Sequence, residues 1–152
     1  MHSLVHSVFL YACETWTLTA DLERRIQATE MRCLRRLLGI SYRDHTTNEE
    51  VRDKIRQAIG PYEDLLTTIR RRKLKWFGHV TRGEGLAKTV LQGTVRGGRR
   101  RGRQRKRWED NIREWTGLEL SELVRRAEDR KGWRGLVAMS SAASQRPRPQ
   151  DR

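Results

Sequence analysis

Cysteine, proline and long apolar runs are all scarce in this chain of 152 residues. Cys13 and Cys33 stand twenty positions apart and form no C-x-x-C pair, which argues against a zinc knuckle and favours reduced, packed thiols in an intracellular protein. No stretch approaches the ~20 apolar residues that a membrane helix needs. Met1 to Leu10 has no basic n-region ahead of its apolar residues, which argues against a signal peptide. A nuclear or cytoplasmic protein with no membrane partner is expected. The chain also lacks G-x-S-x-G, Walker and Rossmann glycine patterns. Its carboxylates do not gather as a metal-dependent polymerase or nuclease requires. No catalytic residue, cofactor, metal or small-molecule substrate is therefore expected. Hydrophobic residues make up 36%, below the ~45–50% (glycine included) of ordinary globular chains, so the core must be thin. Five tryptophans offset part of that deficit.

Negative charge is missing where positive charge is densest. Lys and Arg number 33 against 19 Asp and Glu, a formal net charge of +14. No carboxylate lies between Glu84 and Glu109. Within that gap, Arg99 to Arg107 reads R-R-R-G-R-Q-R-K-R, seven cations in nine residues. Such a run repels itself and has nothing apolar to bury, so its natural partner is a polyanion. Guanidinium groups grip phosphate through paired hydrogen bonds. The expected contacts to RNA or DNA are Arg96, Arg99, Arg100, Arg101, Arg103, Arg105, Lys106 and Arg107. Arg70, Arg71, Arg72, Lys73 and Lys75 widen the basic face. The plainer reading of such a tract is a solvated segment or an import signal, but its interior position favours a groove-tracking loop.

Periodicity predicts a mostly α protein: four to five helices in a small bundle, a short β-hairpin near 88–100, and a disordered tail. Thr19 caps a helix whose apolar positions include Leu22, Ile26, Cys33 and Leu37, with Gly39 as its stop. Arg24, Arg25, Arg32, Arg35 and Arg36 line its other side. Thr46 and Glu49 suggest a capping box for a second helix that ends at Gly60-Pro61. A third, opened by Pro61, carries Leu65, Leu66, Ile69, Trp76 and Phe77 and ends near Arg82-Gly83. The β-branched run Thr89 to Val95 suggests a strand. Helical spacing returns at Trp108, Ile112 and Trp115, before Gly117. Ser121 then caps a last helix that Gly132 bends. The resulting divisions are a helical region at 1–83, a basic Gly/Arg-rich linker or hairpin at 84–103, a helical region at 104–139 and a tail at 140–152.

Weaker signals have bland readings. Glu109-Asp110 suits a helix N-terminus. His2 and His6 stand at i, i+4 without a third ligand. His79 falls on the apolar side of the third helix, and the tryptophan stripe reads as core more than as a base-stacking platform.

Five segments together resemble one family. Leu10 to Leu18 (LYACETWTL), Arg32 to Ile40 (RCLRRLLGI), Lys73 to Val80 (KLKWFGHV), Gly102 to Asp110 (GRQRKRWED) and Asp129 to Arg134 (DRKGWR) are similar, in order and spacing, to the C-terminal part of reverse transcriptases from non-LTR (LINE-like) retrotransposons. The likeness covers roughly residues 4–138. It implies the thumb region and C-terminal extension, which help to hold template RNA and target DNA, without the palm or the endonuclease. The [FY]ADD motif of that palm is absent here. Gln104 replaces a common proline and Ala12 a glycine, so a turn at Ala12 is strained if it needs positive φ. The resemblance implies a non-catalytic nucleic-acid-binding fragment. The alternatives are an accessory part of an RNA-directed DNA polymerase that joins a palm-containing chain in trans, or a functionless truncated product.

Overall fold

The computed structural model describes residues 7–92 and 105–142. Seven α-helices lie wholly within them: α1 (Ala20–Leu37), α2 (Asn48–Ile59), α3 (Leu65–Arg82), α4 (Leu86–Gln92), α5 (Trp108–Thr116), α6 (Leu120–Glu128) and α7 (Arg130–Ala142). Two 3-10 turns accompany them, Cys13–Thr15 and Tyr42–Asp44, and no strand occurs among the described residues.

The expected β-hairpin near 88–100 is therefore a misreading. Residues 88–92 belong to α4, and 93–100 lie outside the described residues. Thr89 tolerates the helix because its hydroxyl can bond back to the Gly85 carbonyl at 3.5 Å, four residues earlier. Leu91 packs against buried apolar residues, and that burial outweighs a weak β preference. The expected count of four to five helices also fails. Besides α4, the single last helix is two, divided at Asp129. The backbone N–H groups of Lys131 and Gly132 donate to the Asp129 carboxylate at 2.9 and 3.0 Å, so Asp129 caps α7 rather than continuing α6. Gly132 leaves room for that cap, since a Cβ there would strike the Asp129 carboxylate. α7 then runs through Ala142, past the expected boundary at 140.

Most other boundaries follow local chemistry. The Thr19 hydroxyl accepts from Leu22 N at 3.3 Å, and Gly39 ends α1 at φ 66°. The capping box of α2 is Thr47 with Glu50, one residue beyond the expected pair. α3 starts at Leu65 rather than at Pro61, because the Asp64 carboxylate accepts from Thr67 N at 2.6 Å.

The chain forms two compact units, Leu18–Thr68 and a unit combining 1–17 with 69–152. In the first, Met31, Leu34, Val51 and Ile55 form the buried centre, with Leu38, Ile40 and Tyr62 against it. Glu30 is also buried there, accepting from Leu65 N at 2.8 Å and from the Tyr62 hydroxyl. Burial raises the pKa values of both Glu30 and Tyr62.

In the second unit, Leu74, Phe77, Ile112, Leu123, Ala127, Trp133 and Val137 are buried together, flanked by Trp108 and Trp115. Trp133 donates from Nε1 to the Leu74 carbonyl at 3.0 Å. It approaches α3 so closely that a Cβ at Gly78 would fall inside the indole. This glycine is required by packing and not by backbone conformation.

Candidate nucleic-acid interface

The apolar segment that opens the chain has partners within the second unit. Its backbone carbonyls are taken by side chains from α3 and α5. Arg72 donates to Leu10 O at 3.1 Å, Lys73 to Trp16 O at 2.7 Å, and Trp108 Nε1 to Glu14 O at 2.8 Å. Leu10 and Cys13 are buried, while Val8 and Tyr11 remain exposed. The turn between them places Ala12 at φ 50°, ψ 23°, left-handed backbone that favours glycine.

Lys73 is the centre of this arrangement. It is fully buried, bonded to Trp16 O and to Asn111 Oδ1 at 2.9 Å. Its Nζ lies 4.4 Å from the Trp108 ring centroid and 5.5 Å from that of Trp115. Burial, helped by the nearby Lys106 charge, pulls its pKa down to about 7. An ammonium enclosed in this way cannot reach a phosphate, so Lys73 leaves the set of expected contacts and becomes part of the scaffold.

The other four cations expected on α3 are differently placed. Arg72 and Lys75 are exposed, Arg71 is half-buried, and Arg70 lies half-buried with its guanidinium 5.3 Å from the Trp115 ring. His79, expected on the apolar side, is exposed. At about 100° per residue it lies about 200° round the helix from Phe77, which faces the core. Lys75 and His79, four residues apart, extend the basic ridge by one turn.

Where the basic run meets α5, Arg105 and Arg107 are exposed. The Arg107 N–H donates to Asp110 at 2.6 Å and its guanidinium reaches Glu109 at 3.3 Å, so the Glu109-Asp110 pair serves the helix N-terminus. Lys106 is engaged by Glu114 at 2.6 Å. Arg96, Arg99, Arg100, Arg101 and Arg103 lie outside the described residues, as do His2 and His6. The described tryptophans of α5 are partly buried: Trp108 packs edge-on to Trp76, with centroids 5.2 Å apart, and stacks on Phe77 at 6.4 Å. Among the described residues no three His, Cys, Asp or Glu side chains are grouped to hold a metal, and no helix is long and apolar enough to cross a membrane.

No family model and no solved structure matches the chain. It is 29% identical over 151 residues to the "Putative uncharacterized transposon-derived protein F52C9.6" of Caenorhabditis elegans, an alignment covering 93% of this chain and 54% of that protein. The chain thus spans about half the length of this relative. The similarity fits a transposon-related origin.

Proposed function

We propose that this chain is a non-catalytic nucleic-acid-binding fragment related to the thumb and C-terminal extension of a non-LTR retrotransposon reverse transcriptase. What supports the reading is that four of its five family-like motifs are bonded to one another. Lys73 of KLKWFGHV holds Trp16 of LYACETWTL, and Trp108 of GRQRKRWED holds Glu14 of that same segment. Trp133 of DRKGWR bonds back to Leu74. The motif residues thus build a scaffold. The scaffold leaves Arg72, Lys75, Arg105 and Arg107 exposed, and the last two belong to the cationic run Arg99 to Arg107 of the sequence.

Binding is sequence-tolerant and salt-dependent, through counterion release. Fluorescence anisotropy with labelled RNA and duplex DNA across a salt titration tests it. Replacing Arg99, Arg100 and Arg101 together by Ala lowers the log–log salt slope on duplex DNA by ~2–3, at about 0.9 per phosphate contact. An unchanged slope removes that tract from the interface.

The in-trans reading draws on Val8 and Tyr11, which are 77% and 81% exposed and offer apolar surface to a partner chain. It requires that this chain stimulate cDNA synthesis by a separate palm-containing polymerase and make none alone.

A further inference from the structure

The arginines of α1 belong to the other unit, Leu18–Thr68. The unit Leu18–Thr68 has nine Lys and Arg and nine Asp and Glu, so it is neutral as a whole. Its charges are segregated, however. Between Glu23 and Asp44 there are six arginines and one carboxylate, Glu30, which is buried. Arg25, Arg32 and Arg36 are exposed. At about 100° per residue they fall within about 40° of one another, on the side of α1 opposite buried Leu34. They span eleven positions, ~17 Å of helix at 1.5 Å each.

The stripe runs into a loop that displays an aromatic ring. Tyr42 is 91% exposed, the most exposed of the large hydrophobic side chains described. A solvated ring on a loose loop would signify little, but this loop is fastened at both ends. Gly39 turns the chain out of α1 at φ 66°, and Ile40 packs on the unit's core. Ser41 and Asp44 cap each other across the 3-10 turn, with Ser41 N donating to Asp44 at 2.6 Å. His45 follows in left-handed backbone at φ 45°, its ring 6.1 Å from that of Tyr42. Arg35 reaches across from the last turn of α1 to Thr46 O at 2.9 Å and Asn48 Oδ1 at 2.8 Å. Tyr42 is thus held out in water by a turn ordered in advance, with exposed Arg43 beside it in sequence. An ordered π-face at the end of a cationic stripe combines the two elements by which proteins bind single strands: stacking for the bases and charge for the backbone.

We propose that Tyr42 is a base-stacking residue and that Arg25, Arg32, Arg36 and Arg43 contact the phosphates of the same single strand, forming a second nucleic-acid site on the unit Leu18–Thr68. The proposal rests on the nucleic-acid reading above and adds strand type to it. Duplex DNA offers no free base face to Tyr42, so the contribution of Tyr42 is confined to single strands.

The test uses the full chain, a fluorescein-labelled oligo-dT 15-mer and a 15-base-pair duplex. Tyr42→Ala is expected to weaken oligo-dT binding roughly 5- to 150-fold, the range for one stacked base, with duplex binding unchanged. Tyr42→Phe keeps the ring and the affinity. Because the ring is solvated, the thermal melt of Tyr42→Ala should match that of the parent. Replacing Arg25, Arg32 and Arg36 by Ala lowers the single-strand salt slope by ~2, at about 0.7 per contact. Photocrosslinking with a 5-bromouracil oligomer should label the peptide that contains Tyr42. If the parent binds but Tyr42→Ala binds oligo-dT equally well, or loses both ligands alike, the stacking site is overturned and the broader reading stands. A folded parent that binds neither ligand overturns both.

Discussion

Lys73 makes the most quantitative claim of the structure. Its Nζ has two oxygen acceptors, Trp16 O and Asn111 Oδ1, and two indole rings. A neutral amine still has two protons to donate, so deprotonation preserves both hydrogen bonds and forfeits the cation–π contact, worth ~2 kcal/mol when desolvated. Against that stands the cost of enclosing a charge at a site with no exposed surface. Burial wins, and the folded pKa falls to about 7 while the unfolded side chain titrates near ~10.4.

Between those values the unfolded chain binds a proton that the folded chain has released, so stability must rise with pH through this window. The slope approaches 1.4 kcal/mol per pH unit, and the two pKa values give a gain of about 2 kcal/mol from pH 7 to pH 9. Urea melts followed by tryptophan fluorescence at pH 7, 8 and 9 measure it. Lys73→Met removes the titration and the donor that Trp16 O and Asn111 Oδ1 share, at a cost of ~1–3 kcal/mol for each hydrogen bond lost. Other groups, including Cys13, whose thiol burial pushes up, contribute to both chains alike. The difference in slope therefore belongs to Lys73. If the variant does not fold, the ¹⁵Nζ shift of Lys73 in the parent reports the same titration. Equal slopes, or an Nζ still protonated at pH 9, would refute the reasoning.

Three further outcomes follow from the packing. Gly78→Ala should cost about 2–3 kcal/mol by thermal or urea melt, because the new methyl displaces the Trp133 indole and its bond to Leu74 O, outweighing a helix-propensity gain of ~1 kcal/mol. Ala12→Gly should stabilise the chain by roughly 0.5–1 kcal/mol, since relief of ~1–2 kcal/mol of left-handed strain exceeds the added unfolded-state entropy. Glu30→Gln should stabilise or leave unchanged the fold at pH 7, whereas Glu30→Ala should lose about 2–3 kcal/mol in the same melts. The sign follows from burial, which raises the Glu30 pKa: its contribution is fully present below the unfolded value and is lost as pH rises through the folded one. The amide keeps the acceptor for Tyr62 and Leu65 N without a buried charge.

What could be read from the residues was whatever local chemistry decides. Thr19, Gly39 and Gly117 mark helix ends through their own hydrogen bonds or backbone freedom, and the strained turn at Ala12 follows from a missing glycine. The failures lie where tertiary packing outweighs local preference. Thr89 and Val90 prefer strands, but Leu91 packs on the core as part of a helix. Asp129 resembles any polar residue inside a helix until its carboxylate is seen capping the next one.

Lys73 shows the same limit at the interface. In sequence it is one of five cations within six positions, indistinguishable from Lys75. Helical geometry separates them, because two residues are about 200° of rotation. Lys75 faces water, while Lys73 is enclosed with Trp108 and Trp115. Charge density in a helix therefore overstates a nucleic-acid interface by whatever fraction of it points inward. Salt slope separates the two classes: Lys75→Ala should reduce it by about one contact, and Lys73→Met should alter stability while leaving it unchanged.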